Sequence, residues 1–160
     1  MRKFISIHSD EGRFVTTNKG PLSRMLQESI GDVILNQDGS VYCVECKVEK
    51  KWTGNLFIEV WSNRRQFNRG WLDKLNSDVL MYYFLDKKLL YTMPFQRLKK
   101  WAYGGENGEN LYKYRIVQQK KYSQMNDTWG RIVPIADLAS EGLIKIHDLS
   151  EILEESGLHY

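Results

Sequence analysis

Two short runs rich in β-forming residues, Asp32-Val33-Ile34-Leu35 and Val41-Tyr42-Cys43-Val44-Glu45-Cys46-Lys47, flank the dipeptide Asp38-Gly39. Asp-Gly between such runs predicts a hairpin with a two-residue turn, because both central residues must tolerate positive φ. With Asp38 and Gly39 as the loop, Gln37 pairs with Ser40, Leu35 with Tyr42, Val33 with Val44, and Asp32 with Glu45. Farther on, residues 56–60 alternate as a strand, and residues 79–85 form a nearly continuous apolar run suited to a buried strand. Residues 86–88 turn the chain into a further strand at 89–93. Gly70 opens a short helix over 70–75. Pro94 at a first helical turn, with Phe95, Leu98 and Trp101 at helical spacing, predicts a helix that stops at Gly104-Gly105. Residues 111–121 alternate Tyr112, Tyr114 and Ile116 against Lys113, Arg115 and Val117, which predicts an edge strand. The tail reads as two short helices. One spans 134–140 and is stopped by Gly142; the other begins at the capping box Asp148-Leu149-Ser150-Glu151 and ends near Gly157.

The hairpin register carries the chemistry. Side chains alternate along a strand, so Lys47 shares a face with Glu45 while Val44 and Cys46 point the other way. Asp32 stands opposite Glu45, and two carboxylates opposed across a ladder repel, so the pair calls for a compensating cation. A divalent metal would supply it. Mg²⁺ prefers hard oxygen ligands and is commonly held by one or two carboxylates plus waters and phosphate oxygens. A neighbouring ammonium can align a nucleophilic water or offset charge growing on a phosphate. Asp32, Glu45 and Lys47 together therefore read as a metal-dependent phosphodiesterase centre, with the carbonyl of Cys46 as a further ligand. A second triplet, Glu49-Lys50-Lys51, has no such partner and reads as a solvated charge run.

Asp32, the hairpin and Glu45-Cys46-Lys47 resemble the PD-(D/E)xK nuclease superfamily, which includes restriction endonucleases, Holliday-junction resolvases and many phage nucleases. The continuation through Thr53-Gly54-Asn55-Leu56-Phe57-Ile58-Glu59, Gly70-Trp71-Leu72 and Asp78-Val79-Leu80-Met81-Tyr82-Tyr83-Phe84 is similar to a branch found in phages and mobile elements. The similarity covers roughly residues 21–101. It implies an α/β fold of the restriction-endonuclease-like kind, a mixed central sheet flanked by helices. It also implies a Mg²⁺ site, with Mn²⁺ as a substitute, in which Asp32 and Glu45 bind the metal and Lys47 serves the attacking water. Gly31 stands where the name-giving proline would be. Many members add a Glu from the first helix, for which Glu28 is the nearest candidate, and Glu59 is a second acid that could join the site or anchor a base at its rim. The family core usually places a strand between the first helix and the Asp strand. Here that strand lies earlier, at 4–7 or 14–17, or else the hairpin supplies the first two strands and residues 56–60 the third. The resemblance also admits a homodimer, since many relatives pair to cut both strands.

Composition agrees with one compact domain over residues 1–160, 42% of it hydrophobic, with an acidic C-terminal extension from about 134. The apolar run after Met1-Arg2-Lys3 is too short for a signal peptide and no segment could span a bilayer, so a cytoplasmic protein is expected. The net charge of +3 conceals a polarity. From Asp137 onward six acids face only Lys145, which leaves 22 bases and 14 acids before it, a balance of +8. A basic body suits a polyanionic partner such as DNA. Arg64, Arg65 and Arg69, on a loop over 62–69, and Lys99 and Lys100, on the polar face of the 95–101 helix, are candidate backbone contacts. Lys113 and Arg115 interleave with tyrosines in a pattern that could clamp nucleic acid. Cys43 and Cys46, three apart on a strand, point to opposite faces about 10 Å apart and cannot share a disulfide or a zinc ion. His8, His147 and His159 are scattered. The alternative to a nuclease is a catalytically inactive module of the same fold that binds nucleic acid as an accessory protein.

Overall fold

A computed structural model of the chain describes residues 11–15, 20–105, 110–119 and 126–151. They form ten strands and four helices among the described residues, grouped into two compact units. The first unit takes residues 1–52, 76–95 and 144–160; the second takes 53–75 and 96–143. No helix among the described residues is long and apolar enough to cross a membrane.

The first unit is built on a six-stranded mixed sheet. Its strands are β1 (Glu11–Phe14), β2 (Val33–Gln37), β3 (Ser40–Glu49), β6 (Val79–Phe84), β7 (Leu89–Pro94) and β10 (Lys145–Asp148), in that spatial order. Strand β2 is antiparallel to both neighbours, β3 and β6 are parallel, and β7 and β10 each run antiparallel to the strand before them. The hairpin forms in the register predicted for it: Val33 faces Val44, Leu35 faces Tyr42 and Gln37 faces Ser40. Asp38 and Gly39 adopt φ of 50° and 74°, the doubly left-handed turn that brings the chain back with the right twist. One face of this sheet carries the apolar cluster of Val33, Leu35, Val44, Met81, Tyr83, Leu90 and Leu149, with Cys46 and Val79 packed against it. Strand β6 is buried along both faces, which is why its sequence is continuously apolar rather than alternating.

The strand on the far side of the Asp strand is neither stretch expected for it, 4–7 or 14–17, and shares only Phe14 with the second. It is β1, paired from Phe14 opposite Val33 to Glu11 opposite Asn36, while residues 4–7 and 16–17 lie outside the described residues. Helix α1 (Pro21–Ile30) connects it to β2. Pro21 starts this helix, where a missing N–H costs nothing, and Gly31 ends it at φ +106°. Residues 56–60, considered as a third strand beside the hairpin, do not pair with it; that position next to β3 is taken by β6. Those residues lie instead in β4 (Asn55–Asn63), a strand of the second sheet.

The second unit holds a four-stranded sheet in the order β5 (Asn68–Arg69), β4, β9 (Trp129–Pro134) and β8 (Ile116–Gln118). It also holds α2 (Trp71–Lys74), most of α3 (Phe95–Ala102), which continues directly from β7, and α4 (Ile135–Ser140). The loop expected over 62–69 is a hairpin: β4 runs on to Asn63, residues 64–67 turn, and β5 returns. The long strand expected over 111–121 shrinks to β8, an edge strand of three residues. The guanidinium of Arg131 draws in the carbonyls of Tyr112 and Tyr114, so these two tyrosines turn rather than join a ladder. Residue 120 and beyond, up to 125, lie outside the described residues, as does the tail helix past Glu151. Its start is in place, with Asp148 Oδ1 accepting the Ser150 N–H at 2.9 Å.

Candidate active site

Strand β3 lies between β2 and β6, so Glu45 and Lys47 occupy a central strand. They share a face, opposite Leu80 and Tyr82 of β6, which are 0% and 2% exposed. Glu45 is itself only 4% exposed. A carboxylate so deeply placed needs a counter-charge, and Lys47 provides one through an ion pair between its ammonium and Glu45 Oε1. The lysine keeps about a third of its side chain in solvent, 33% exposed.

Asp32 comes to this cluster by a route the register alone does not reveal. The ladder ends one pair earlier than predicted, at Val33 opposite Val44. Gly31, in a conformation that side-chain-bearing residues rarely adopt, swings the chain so that the Asp32 N–H donates to the Val44 carbonyl at 2.8 Å. The Asp32 carboxylate then reaches along β3, where Oδ2 accepts the backbone N–H of Cys46 at 3.0 Å. It is thus tied to the peptide between Glu45 and Lys47. Its other oxygen, Oδ1, accepts from Gln27 Nε2 of α1 at 2.8 Å. Gln27 is the member of the cluster that sequence reasoning missed. The signal available was its position in the last turn of a helix ending at Gly31, from which a long amide reaches the next residue.

Both carboxylates act on Cys46. Burial pushes its thiol up, and the charges of Asp32 and then Glu45 push it further, against the opposing ammonium of Lys47, to about 12. Cys46 is therefore a protonated thiol packed toward the apolar cluster. Cys43 is free as well, its thiol raised by burial and then by Asp78, whose carboxylate accepts the Cys43 N–H at 2.7 Å.

The remaining candidates fall elsewhere. Glu28 is exposed on α1, one residue beyond the amide that touches Asp32. Glu59 belongs to the second unit, where its Oε1 accepts the Trp71 N–H at 3.2 Å at the start of α2. Glu49 is half-buried rather than solvated, because its Oε1 accepts the Tyr82 hydroxyl at 3.1 Å. His147 lies on β10 beside the Thr92 hydroxyl at 3.0 Å, and His8 and His159 are outside the described residues.

The basic candidates all lie in the second unit. Arg64 stacks over Trp129 at 4.8 Å, Arg65 approaches Asp127 at 3.6 Å, and Arg69 stacks over Trp61 at 4.4 Å while facing Asp73 at 3.8 Å. Lys99 donates to the Asp73 carbonyl at 2.9 Å, whereas Lys100 is exposed. Lys113 lies over the Tyr114 ring at 5.1 Å, and the Arg115 carbonyl accepts the Ile132 N–H.

Among the described residues no three His, Cys, Asp or Glu side chains gather as a metal-holding group. The side-chain donors at the cluster are the carboxylates of Asp32 and Glu45, hard oxygens with no thiolate, which fit Mg²⁺ or Mn²⁺ by chemistry better than zinc. No protein-family model matches the chain, and no curated protein and no solved structure matches it either.

Proposed function

We propose that the chain is a Mg²⁺-dependent deoxyribonuclease of the restriction-endonuclease-like kind, acting through Asp32, Glu45 and Lys47. The observation that carries this reading is the Asp32 carboxylate bonded to the Cys46 N–H. That bond ties one acid to the very strand segment that bears the other acid and the amine. The first unit's sheet, with antiparallel and parallel pairs, is mixed as the resemblance implies, which supports the reading at that coarse level.

Asp32 and Glu45 would hold the ion, with the Cys46 carbonyl as a further donor. A bound divalent ion would lower the pKa of a coordinated water and neutralise charge on a phosphate oxygen. The chain's own groups set up the rest. Gln27 and the Cys46 N–H fix the orientation of the Asp32 carboxylate, so that it need not reorganise during reaction. Burial of Glu45 against Leu80 and Tyr82 keeps bulk water from its inner side. The part-exposed Lys47 ammonium is placed to orient a water or to meet developing negative charge.

A second reading draws on a specific observation. Both oxygens of Asp32 accept hydrogen bonds and Glu45 is ion-paired with Lys47, so each carboxylate has a partner without an ion, although one negative charge is left over. This favours the accessory module that binds nucleic acid without turnover. One experiment separates the two. Linear, nicked, single-stranded and four-way-junction DNA are offered to wild type, Asp32→Asn and Glu45→Gln with Mg²⁺ or EDTA. A nuclease cuts at least one substrate only with metal, and each variant loses about a hundredfold or more of that rate. Equal cutting by both variants removes the assignment, and no cutting of any substrate by wild type leaves the accessory module.

A further inference from the structure

The second unit carries a feature that its own packing does not explain. Across its sheet, Arg69 pairs with Trp61, Trp61 with Trp129, and Trp129 with Gln118. Directly paired residues share a face, so these four form a row running over all four strands. Arg64, from the turn after β4, lies over Trp129, and Arg69 lies over Trp61. A guanidinium held over an indole is restrained in position and keeps N–H groups that can donate to a phosphate oxygen, although at Arg69 a phosphate would compete with Asp73, whose carboxylate lies 3.8 Å away. Residues 61–69 contain three arginines and no acid.

At the tip of this hairpin stands Phe67. It is 80% exposed, and its φ is +55°. The left-handed region is costly for a bulky residue, and glycine or asparagine is the ordinary choice there. Phe67 N–H donates to the Arg64 carbonyl at 3.1 Å to close the turn, a bond any residue could make. An aromatic ring exposed to water at such a position gives the fold nothing, yet it offers an apolar plate on a turn bordered in sequence by Arg64 and Arg69.

We propose that this hairpin is a docking element for single-stranded nucleic acid, in which Arg64 and Arg69 take backbone phosphates and Phe67 stacks on an unpaired base. Charge complementarity selects a polyanion, and the aromatic plate selects one whose bases are free to stack. A duplex keeps its bases paired and stacked, so it would engage only the arginines. The proposal stands on the second unit and does not depend on phosphodiester cleavage by Asp32, Glu45 and Lys47.

The test is fluorescence anisotropy of the full chain in EDTA, which holds any metal-dependent cleavage apart from binding. The probes are a labelled oligothymidine and oligouridine of about 20 nucleotides each, and a duplex of equal length. Wild type is expected to bind a single strand more tightly than the duplex, with Phe67→Ala weakening single-strand binding about tenfold and Phe67→Trp restoring it. Because the ring is exposed, the melting temperature of each variant should match wild type. Arg64→Ala and Arg69→Ala should each flatten the dependence of log affinity on log salt by about 0.7. Preference between the two oligonucleotides assigns the strand as DNA or RNA and supports the proposal either way. Unchanged affinity in Phe67→Ala, equal or better binding of duplex, or no binding of any probe at low salt would overturn it.

Discussion

Replacing Lys47 with methionine isolates the charge problem at the centre of the sheet. Glu45 is 4% exposed and sits opposite Leu80 and Tyr82, with the Lys47 ammonium as its ion-pair partner. Methionine keeps most of the lysine stem but removes the charge. Deleting one partner of a fully buried pair costs about 3–5 kcal/mol, most of it the penalty of leaving the other charge behind. Lys47 is 33% exposed, so solvent already screens part of the attraction and water can reach the carboxylate in the variant. A loss of about 2–3 kcal/mol follows. Against a typical total of about 5–15 kcal/mol this is large enough to read in urea unfolding followed by tryptophan fluorescence and circular dichroism. Adding Glu45→Gln to Lys47→Met removes the orphaned charge and should recover about 1–2 kcal/mol, so the double variant is more stable than the single one. A single variant as stable as wild type, or a double variant no better than the single, would refute the buried-pair argument. The same logic makes Lys47→Ala a poor test of catalysis, since lost activity could follow from a disturbed strand.

Two further outcomes are expected. In Gly31→Ala the new methyl would lie 2.7 Å from the Val44 carbonyl oxygen and 2.9 Å from Ser77 Oγ, at a φ of +106°. A loss of at least about 2 kcal/mol in urea unfolding is expected, and wild-type stability would contradict the proposed role of this glycine in swinging Asp32 into place. At high pH, burial and then a hydrogen bond to a carboxylate, Asp73 for Tyr103 and Asp137 for Tyr114, push both phenols above their ordinary value of 10. A group whose folded pKa is raised contributes stability that is complete below the unfolded value and is lost as pH climbs through the folded one. Stability should hold up to about pH 10 and fall above it, and Tyr103→Phe with Tyr114→Phe should flatten that fall. An identical alkaline profile in the double variant would remove these two tyrosines as the cause.

Local rules carried much of the architecture. Asp38-Gly39 set the turn and, through the period of two, the facing of Val33 with Val44 and of Glu45 with Lys47 on one side. The continuous apolar run at β6 and the burial of Phe95 and Leu98 along α3 were legible for the same reason, each depending on neighbours a few residues away, whereas Trp101, read on the same stripe, is only half-buried. What the pattern could not contain was anything decided by distant partners. Whether β4 joined the first sheet or a second one depended on pairing with β9, which reaches from Trp61 opposite Trp129 to Asn55 opposite Pro134, far along the chain. The tyrosine-rich alternation after residue 111 reads as a strand locally, but the Arg131 guanidinium claims its carbonyls. At the site, sequence alone brought Glu45 and Lys47 together, because covalent spacing along a strand leaves no choice. The position of the Asp32 carboxylate, its two hydrogen bonds and the part played by Gln27 came from tertiary structure. A backbone turn at Gly31 and the docking of a helix end determine them, and neither leaves a periodic trace in the chain.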